Sequence, residues 1–329
     1  MTPYRIWVGA VAAVAVLATG AAAQAQSDWP NRPITLIVPF AAGGGVDASA
    51  RFQATFLSQI LGQSVVVENV GGAAGTIGSM RVAKASPDGY TMVMGNSGTH
   101  VYSQSIYKKK PYDTLTDFEP VALLTESPRI LVARKDLPVN GLKDLVAYIQ
   151  KNQKTMQYSS AGVGSGTHLP CALLNHRIGA NVTMIPYKGE NPALLDVVAG
   201  RADYMCATMQ NGAVQAKQGG VKGIAVMAPR RSSAIPELAT AGEQGVDGVD
   251  ATVWNGLFFP KGTPKEIVDK MNAAVQKVLG REDVRKKLES MGLDVMPEDQ
   301  RSTAYMVKFL KEDIERWGEV TKAAGISVD

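Results

Sequence analysis

Short apolar runs alternate with amphipathic stretches through most of the chain. The runs are bounded by turn-forming residues and predict buried strands, whereas apolar positions three and four residues apart predict helices. Strands are predicted at residues 34–38, 65–67, 91–94, 130–132, 156–158, 182–185, 203–206 and 223–227. Helices are predicted to follow the first strand as far as residue 61 and to cover 75–85, 142–150 and 192–199. Alternating strands and helices are typical of parallel α/β units, so we expect an α/β protein made of two such series.

The final third of the chain has a purely helical pattern. Apolar residues recur at helical spacing from Ile267 to Val278 and again from Tyr305 to Trp317. The pattern predicts two helices, the second covering residues 297–324, with their apolar faces against the core.

The first 25 residues have the pattern of a secretory signal peptide. Arg5 precedes an apolar run at residues 6–18, and Ala23-Gln24-Ala25 fits the small-residue cleavage site. The run is shorter than the roughly 18 residues that span a bilayer, and no later segment is long and uncharged enough to do so. We therefore expect cleavage near Ala25 and a mature chain that is soluble in the periplasm.

Composition and charge exclude some classes of partner. The chain has 34 Lys and Arg against 30 Asp and Glu, a net charge of +4, with both signs spread along its length. Its basic runs, residues 108–110 and 285–287, have few aromatic neighbours, so nucleic-acid binding is not indicated. The two cysteines, Cys171 and Cys206, can either pair in an oxidising compartment or remain buried thiols.

Two glycine-rich loops, each after a predicted strand, are the main candidates for a binding site. The first loop (residues 40–47) contains three consecutive glycines and opens a helix, and the second loop (residues 161–168) contains three alternating glycines. Such loops leave backbone amides free beside the positive end of a helix dipole, where an anion is stabilised. Either loop alone is also compatible with a tight turn that binds nothing. Two of them on facing domains can hold one carboxylate or dicarboxylate between them.

The sequence carries no motif of catalysis or of cofactor binding. Neither loop matches the phosphate-binding pattern G-x-x-x-x-G-K-[ST], and residues 72–78 have GxxGxxG spacing instead of the GxGxxG of dinucleotide loops. Ser165 lacks the glycine that a nucleophile elbow has two positions earlier, because Val163 stands there. The three histidines have no metal-ligand spacing. We therefore expect no catalytic residue, no cofactor and no metal.

Three polar residues, two of them at the loops, are each open to two interpretations. Asp47 can bind an amine on a ligand or cap the amides of its own loop. His168 can contact a ligand or hold the start of the following helix. Asp203, at the start of a predicted strand, is open to the same two roles as the others, binding or structure.

Eight segments in a fixed order make the sequence resemble the tripartite tricarboxylate transporter receptors, also called the Bug family of periplasmic binding proteins. The segments are Trp29-Pro30-x-Arg32-Pro33-Ile34, Pro39-Phe40-x-x-Gly43-Gly44-x-x-Asp47, Glu68-Asn69-x-x-Gly72-Ala73-x-Gly75, Pro87-Asp88-Gly89-Tyr90, Asp117-Phe118-x-Pro120-Val121, Gly164-Ser165-x-Thr167-His168-Leu169, Pro186-Tyr187-Lys188-Gly189 and Gly256-Leu257 followed by Pro260-x-Gly262-Thr263-Pro264. Each segment is weak by itself, but together they cover the mature chain.

The resemblance implies a type II periplasmic-binding-protein fold of two α/β domains with a hinge and an interdomain cleft. Domain 1 is expected at residues 29–125 plus 255–329 and domain 2 at 126–254, after a signal peptide at 1–25. The expected ligand is a small carboxylate: a dicarboxylate, an acidic amino acid or an aromatic acid. A two-component membrane permease is the expected partner of this monomer. The alternatives are a sensor that presents its ligand to a signalling protein and, less favoured, a hydrolase that uses the same cleft.

Carried over residue by residue, the resemblance places the ligand at both loops and at two nearby segments. The expected ligand-binding residues are Phe40, Ala42, Gly43, Gly44, Gly45, Asp47, Ala161, Gly162, Gly164, Ser165, Thr167, His168, Tyr187 and Asp203. The sequence departs from the family at Cys206, where Phe is favoured, and this exchange is expected to enlarge the pocket.

Overall fold

The computed structural model of the chain describes residues 28–232, 234–323 and 325–327. The predicted signal peptide lies outside these residues. The strands are β1 (Ile34–Val38), β2 (Val65–Asn69), β3 (Thr91–Asn96), β4 (Phe118–Arg134), β5 (Gln157–Ser160), β6 (Thr183–Pro186), β7 (Tyr204–Thr208), β8 (Val221–Met227), β9 (Thr252–Pro260) and β10 (Asp294–Val295). The helices are α1 (Gly45–Leu61), α2 (Thr76–Ala83), α3 (Ser103–Ile106), α4 (Leu142–Asn152), α5 (Leu169–Arg177), α6 (Glu190–Val198), α7 (Met209–Lys217), α8 (Lys265–Leu279), α9 (Glu282–Ser290) and α10 (Thr303–Ala323).

The strands form two sheet regions that share the long strand β4. In the first lobe, β1 lies between the parallel strands β2 and β3, and antiparallel β9 joins β3 to the first part of β4. In the second lobe, β5 lies beside the parallel strands β6 and β7, and the last part of β4 pairs antiparallel with β7 and β8. Residues 118–128 of β4 therefore belong to the first lobe and residues 129–134 to the second. The predicted α/β class is confirmed.

The carboxyl ends of the parallel strands place four loops in one region. The first loop follows β1, a turn of π-helix at Gly98–Tyr102 follows β3, the second loop follows β5, and α7 begins directly after β7. Parallel strands end at the same edge of a sheet, so each lobe presents two of these loops at one edge. In open α/β sheets, ligands bind outside this edge.

The predicted apolar patterns correspond to buried faces. Four of the five residues of β1 are buried. On α8 the predicted stripe, including Ile267, Met271, Val275 and Val278, packs into the first-lobe core. The last helix begins at Thr303 instead of residue 297, because residues 298–300 form a separate turn of 3-10 helix.

Several elements escaped prediction because their sequences interrupt the expected periods. Strand β4 has seventeen residues, and only 130–132 read as a strand from the sequence. Glu119 and Glu126 interrupt its apolar run, Pro120 and Pro128 are unusual inside a strand, and its register with β9 shifts twice. Strand β9 and helices α5, α7 and α9 were also not predicted.

The two cysteines form a disulfide in the second lobe. Cys171 on α5 bonds to Cys206 on β7, with the Cα atoms 5.5 Å apart. Both residues are fully buried, so the bond joins the helix after the second loop to the sheet beneath it. The expectation that Cys206 enlarges the pocket is therefore wrong, because its side chain is part of the core and bonded to Cys171.

Candidate ligand-binding cleft

The first loop ends in unpaired backbone donors at the start of a long helix. Gly43 has a left-handed backbone with φ of 82°, and Gly44 is the extended residue that precedes α1. The amides of Gly44, Gly45 and Val46 donate no hydrogen bond to any residue that the structure describes. Helix α1 has 17 residues, so the positive end of its dipole adds to these donors. The arrangement suits an anion.

Asp47 holds this loop in shape from inside. Its carboxylate accepts hydrogen bonds from the amide of Gly43 at 2.9 Å and from Asn69 Nδ2 at 2.9 Å, and it pairs with Arg51 Nε at 3.0 Å. Burial alone would raise the pKa of Asp47, but the Gly43 amide, Arg51 and Asn69 together lower it. Of its two proposed roles, the geometry favours capping of its own loop.

Phe40 and Ala42 are the other predicted residues of the first loop. The carbonyl of Phe40 accepts a hydrogen bond from Asn69 Nδ2 at 3.1 Å, and Ala42 is exposed. Asn69 thus ties the end of β2 to both ends of the first loop. It was not among the predicted site residues, although its Glu68-Asn69 segment contributes to the family resemblance.

In the second loop, side chains accept the hydrogen bonds of three backbone amides, those of Ala161, Gly162 and Gly164. The amide of Ala161 donates to Thr167 Oγ1 at 2.8 Å, and the amide of Gly162 donates to Ser160 Oγ at 3.2 Å. Ser165 Oγ lies 3.1 Å from Thr167 Oγ1, which links the hydroxyls in the interior of the loop. Ser165 and Thr167 are both buried.

His168 completes the second loop as a neutral acceptor. Its Nδ1 accepts the amide of Gly164 at 3.0 Å, and its ring stacks on Tyr158 with centroids 6.2 Å apart. Burial lowers the pKa of His168 to about 4. The imidazole is therefore uncharged at neutral pH and serves the conformation of the loop and the start of α5.

Tyr187 lies next to the second loop through its main chain. Its amide donates to the carbonyl of Ser160 at 2.9 Å, and its carbonyl oxygen is 3.4 Å from the position of a Cβ on Gly162. The hydroxyl donates to Asp196, which also pairs with Arg201. Burial and the Asp196 carboxylate raise the pKa of Tyr187 to about 12. Its phenol is committed to this pair.

Asp203 lies away from both loops, and we correct its assignment to the site. Its carboxylate accepts the amide of Gln157 at 2.7 Å and Arg134 Nε at 2.9 Å. Gln157 is the first residue of β5, whereas the second loop begins after its last residue, Ser160. Asp203 therefore pins the amino end of β5, at the edge of the sheet opposite the second loop.

Each loop meets a segment of the other lobe that was not predicted as part of the site. A Cβ on Gly45 would lie 2.6 Å from Gln210 Oε1 at the start of α7. A Cβ on Gly98, in the turn after β3, would lie 3.4 Å from the amide nitrogen of Gly166. The carboxyl edges of the two lobes therefore face each other and are nearly closed. The sequence signal for Gln210 is weak, because α7 was not recognised as a helix.

A cavity of about 560 Å³ lies beside the first loop. Its walls come from both lobes: the first loop, the start of α7 and the end of α9. The lining includes Gly43, Gly44, Gly45, Met209, Gln210, Asn211, Glu289 and Gly292. The first loop therefore borders open space between the lobes.

Metal sites and membrane-spanning helices are both absent from the described residues. Among them, no group of three His, Cys, Asp or Glu side chains is arranged to hold a metal ion. None of the helices in the described ranges is both long and apolar enough to cross a membrane.

Known proteins are similar to this chain in sequence and in architecture. A family profile described as the tripartite tricarboxylate transporter family receptor matches residues 49–326. The periplasmic binding protein BugD is 37% identical, with 91% of this chain and 99% of that chain covered and a TM-score of 0.85. MatC from Rhodopseudomonas palustris, solved with bound malate, is 39% identical, with 89% and 99% covered and a TM-score of 0.84.

A second R. palustris protein, solved with adipate, is 34% identical, with 91% of this chain and 99% of that chain covered and a TM-score of 0.86. These neighbours are two-domain binding proteins, which agrees with the hinge and cleft expected from the sequence. The chain therefore belongs to the tripartite tricarboxylate transporter receptor family, whose members are solute-binding receptors and not enzymes.

Proposed function

We propose that this chain is an extracytoplasmic receptor that binds a small carboxylate in the cleft and delivers it to a two-component membrane permease. The observation that carries the proposal is the row of unpaired amides at Gly44, Gly45 and Val46, at the positive end of α1 and on a loop that meets the second lobe at Gln210. The malate and adipate in two similar structures support a carboxylate ligand. Export to the periplasm, with cleavage near Ala25, belongs to the same proposal.

The mechanism is capture followed by closure. We propose that residues 29–125 and 255–329 move against residues 126–254, about the segments where β4 and β9 cross between lobes. We propose that closure brings Gln210 against Gly45, which are adjacent in the structure, and removes water from the cleft. Hydrogen bonds from amides to a carboxylate strengthen when water is excluded, so closure favours the bound state. The closed form is then the one that docks to the permease.

The proposed site comprises both loops and the main chain of Tyr187. The first loop supplies backbone donors from residues 44–46, and Asp47 and Phe40 shape it. The second loop, residues 161–168, supplies a wall whose shape is fixed by Thr167 and His168. Asp203 is left out because of its position at the far edge of the sheet.

Ligand binding is tested by thermal unfolding and calorimetry with monocarboxylates, dicarboxylates, acidic amino acids and aromatic acids. A ligand at 100 times its Kd should stabilise the native state by about 2.7 kcal/mol. We expect at least one carboxylate to raise the Tm at millimolar concentration. If none of these acids does so, the proposal is wrong.

The role of the first loop is tested with Gly44→Val. A Cβ at Gly44 fits the fold, since φ is −78° and the nearest atom is 3.6 Å away. The branched side chain would instead cover the amides from the cleft side, so we expect loss of binding with an unchanged Tm of the free protein. Gly242→Val is the control, because this exposed glycine also accepts a Cβ at 3.4 Å and lies outside the proposed site. Normal affinity in Gly44→Val contradicts the proposal that the amides of the first loop bind the carboxylate.

A further inference from the structure

Arg129 is a buried cation at the point where β4 passes from one lobe to the other. Its Cα pairs with Thr208, the last residue of β7, and with Met227 of β8. Its predecessor Pro128 still pairs with β9 of the first lobe. Arg129 therefore lies between the lobes along β4, where the carboxyl edge of the second lobe begins.

The guanidinium of Arg129 lacks partners in the described part of the chain. The residue is only 4% exposed, and its Nε and Nη1 are buried without a hydrogen bond. No carboxylate of a described residue forms an ion pair with it. Glu190 is the acidic group whose charge acts on it, but Glu190 Oε1 already accepts the amide and hydroxyl of Thr208 at 2.6 and 2.7 Å. Burial lowers the pKa of Arg129, yet arginine remains charged in proteins.

This burial is unfavourable for the free protein. An ionised group without a counter-charge loses its hydration when it enters the interior, and several kcal/mol is the usual scale of that loss. Another arginine of the same strand does have carboxylate partners: Arg134, five residues further along, pairs with Asp136 and Asp203. The contrast indicates that the counter-charge of Arg129 comes from outside the chain.

The surroundings of Arg129 come from both lobes. A Cβ on Gly166 of the second loop would lie 2.7 Å from Arg129 Nη2, so the guanidinium packs directly on the loop backbone. Tyr102 of the first lobe is close enough to act on its charge. The turn at Gly98 also lies against Gly166, with 3.4 Å between a Cβ on Gly98 and the Gly166 nitrogen. An anion that reached this place would be enclosed by the closed cleft.

We propose that Arg129 is the specificity-determining residue that pairs with a second carboxylate of the ligand, which makes the receptor selective for dicarboxylates. The inference rests on the proposed function, since the first carboxylate is held by the amides of the first loop. A guanidinium presents parallel N–H donors that match a carboxylate in bidentate geometry, and a buried pair of this kind discriminates strongly against a neutral group. The amides of the first loop accept any carboxylate, whereas Arg129 distinguishes a ligand with two carboxylates from a ligand with one.

The test compares a diacid with its own monoamide on two variants. Binding of malate, adipate and their monoamides is measured by calorimetry on the wild type, Arg129→Gln and Arg129→Lys. We expect the wild type to prefer a diacid over its monoamide by about 100-fold, and Arg129→Gln to weaken diacid binding by about 100-fold. Affinity for the monoamide should change less than about threefold, and Arg129→Lys should recover part of the preference because it keeps the charge.

Stability of the free protein gives a readout that does not depend on binding. Arg129→Gln removes an unpaired buried charge, so its Tm without ligand should equal or exceed that of the wild type. Arg134→Gln is the matched control on the same strand: it breaks two ion pairs, so its Tm should fall while its preference for diacids stays unchanged.

Three outcomes overturn the inference. One is an unchanged diacid preference in Arg129→Gln. Another is an equal loss of both ligands together with a lower Tm, which assigns Arg129 a structural role. The third is a wild type that binds monoamides as tightly as diacids, which leaves the proposed function intact. A wild type that binds no carboxylate at all refutes the proposed function itself, and the inference with it.

Discussion

The two glycine-rich loops resemble each other in sequence but differ in how their backbone donors are used. In the first loop, the amides of residues 44–46 have no acceptor among the described residues. In the second loop, the amides of Ala161, Gly162 and Gly164 each donate to a side chain of the same lobe. The glycines of the first loop are consecutive, whereas the second loop has hydroxyl side chains and a histidine among and after its glycines.

This difference assigns the loops different parts in binding. The first loop keeps the amides of residues 44–46 available. Its shape is held by the Asp47 carboxylate, which accepts the amide of Gly43. The second loop uses most of its donors to hold its own shape, and its positive charge comes from Arg129 packed against Gly166. We therefore expect changes in the first loop to affect affinity first, and changes in the second loop to affect stability first.

The largest expected effect is the response of the second loop to acid. His168 has a pKa of about 4 in the folded state, below the ordinary value of about 6.5, so the unfolded chain binds the proton first. The contribution of neutral His168 to the free energy of unfolding is then fully present above pH ~6.5. It is lost as the pH falls towards ~4, at up to about 1.4 kcal/mol per pH unit. The check is urea unfolding of the wild type and His168→Asn between pH 7 and 4.

We expect a shallower pH dependence in His168→Asn, because the amide oxygen of Asn can still accept from Gly164 without titrating. A second buried histidine, His100, has a pKa of about 3 for the same reason and contributes its own slope in both proteins. The exposed His176 provides the control variant, His176→Asn. Equal slopes in the wild type and His168→Asn contradict the prediction.

An alanine in place of one glycine of each loop compares how much the two loops contribute to stability. Gly164 has φ of 76°, and a Cβ there would lie 2.0 Å from Ile106 Cδ1, so Gly164→Ala should lose roughly 2 kcal/mol of unfolding free energy. Gly44 has an ordinary φ and room for a Cβ, so Gly44→Ala should lose almost nothing. Urea unfolding of both variants measures the contrast, and equal losses would break it.

The smallest expected effect concerns the Asp47 carboxylate, which holds the first loop in shape. Asp47→Asn removes the charge that holds the Gly43 amide and Arg51, and we expect a loss of about 1 kcal/mol at pH 7. Because the folded pKa of Asp47 is lowered, this contribution is present above pH ~3.9 and is lost as the pH falls through the folded value. The difference between wild type and Asp47→Asn in urea unfolding should therefore shrink only below pH ~3.9.

The acid responses of the two loops thus begin in different pH ranges. The second loop, through His168, should weaken below pH ~6.5, and the first loop, through Asp47, only below ~3.9. Ligand binding measured at pH 5 should accordingly remain sensitive to the first loop while the second lobe has already lost stability. A variant with both His168→Asn and Asp47→Asn should show the two effects independently if the loops are as separate as the structure indicates.

The sequence by itself determined the regular part of this protein. Continuous apolar runs such as Ile34–Val38 and helical stripes such as that of α8 require burial whatever their neighbours are, so their type and place were predicted correctly. The two loops were also found from sequence, because glycines after a buried strand and before a helix leave few alternatives. The order of eight short segments was sufficient to indicate the family.

Only the tertiary structure decided which polar groups are satisfied. His168 lies at the second loop in the sequence, and the family resemblance placed Asp203 at the site. Strand pairing instead places Asp203 at the far edge of the sheet, and packing makes His168 an internal acceptor. The pairing of Cys171 with Cys206 depends on the distance between a helix and a strand, which no spacing along the chain determines. Arg129 was missed for the same physical reason: a charge at the end of an apolar run looks exposed until the fold encloses it.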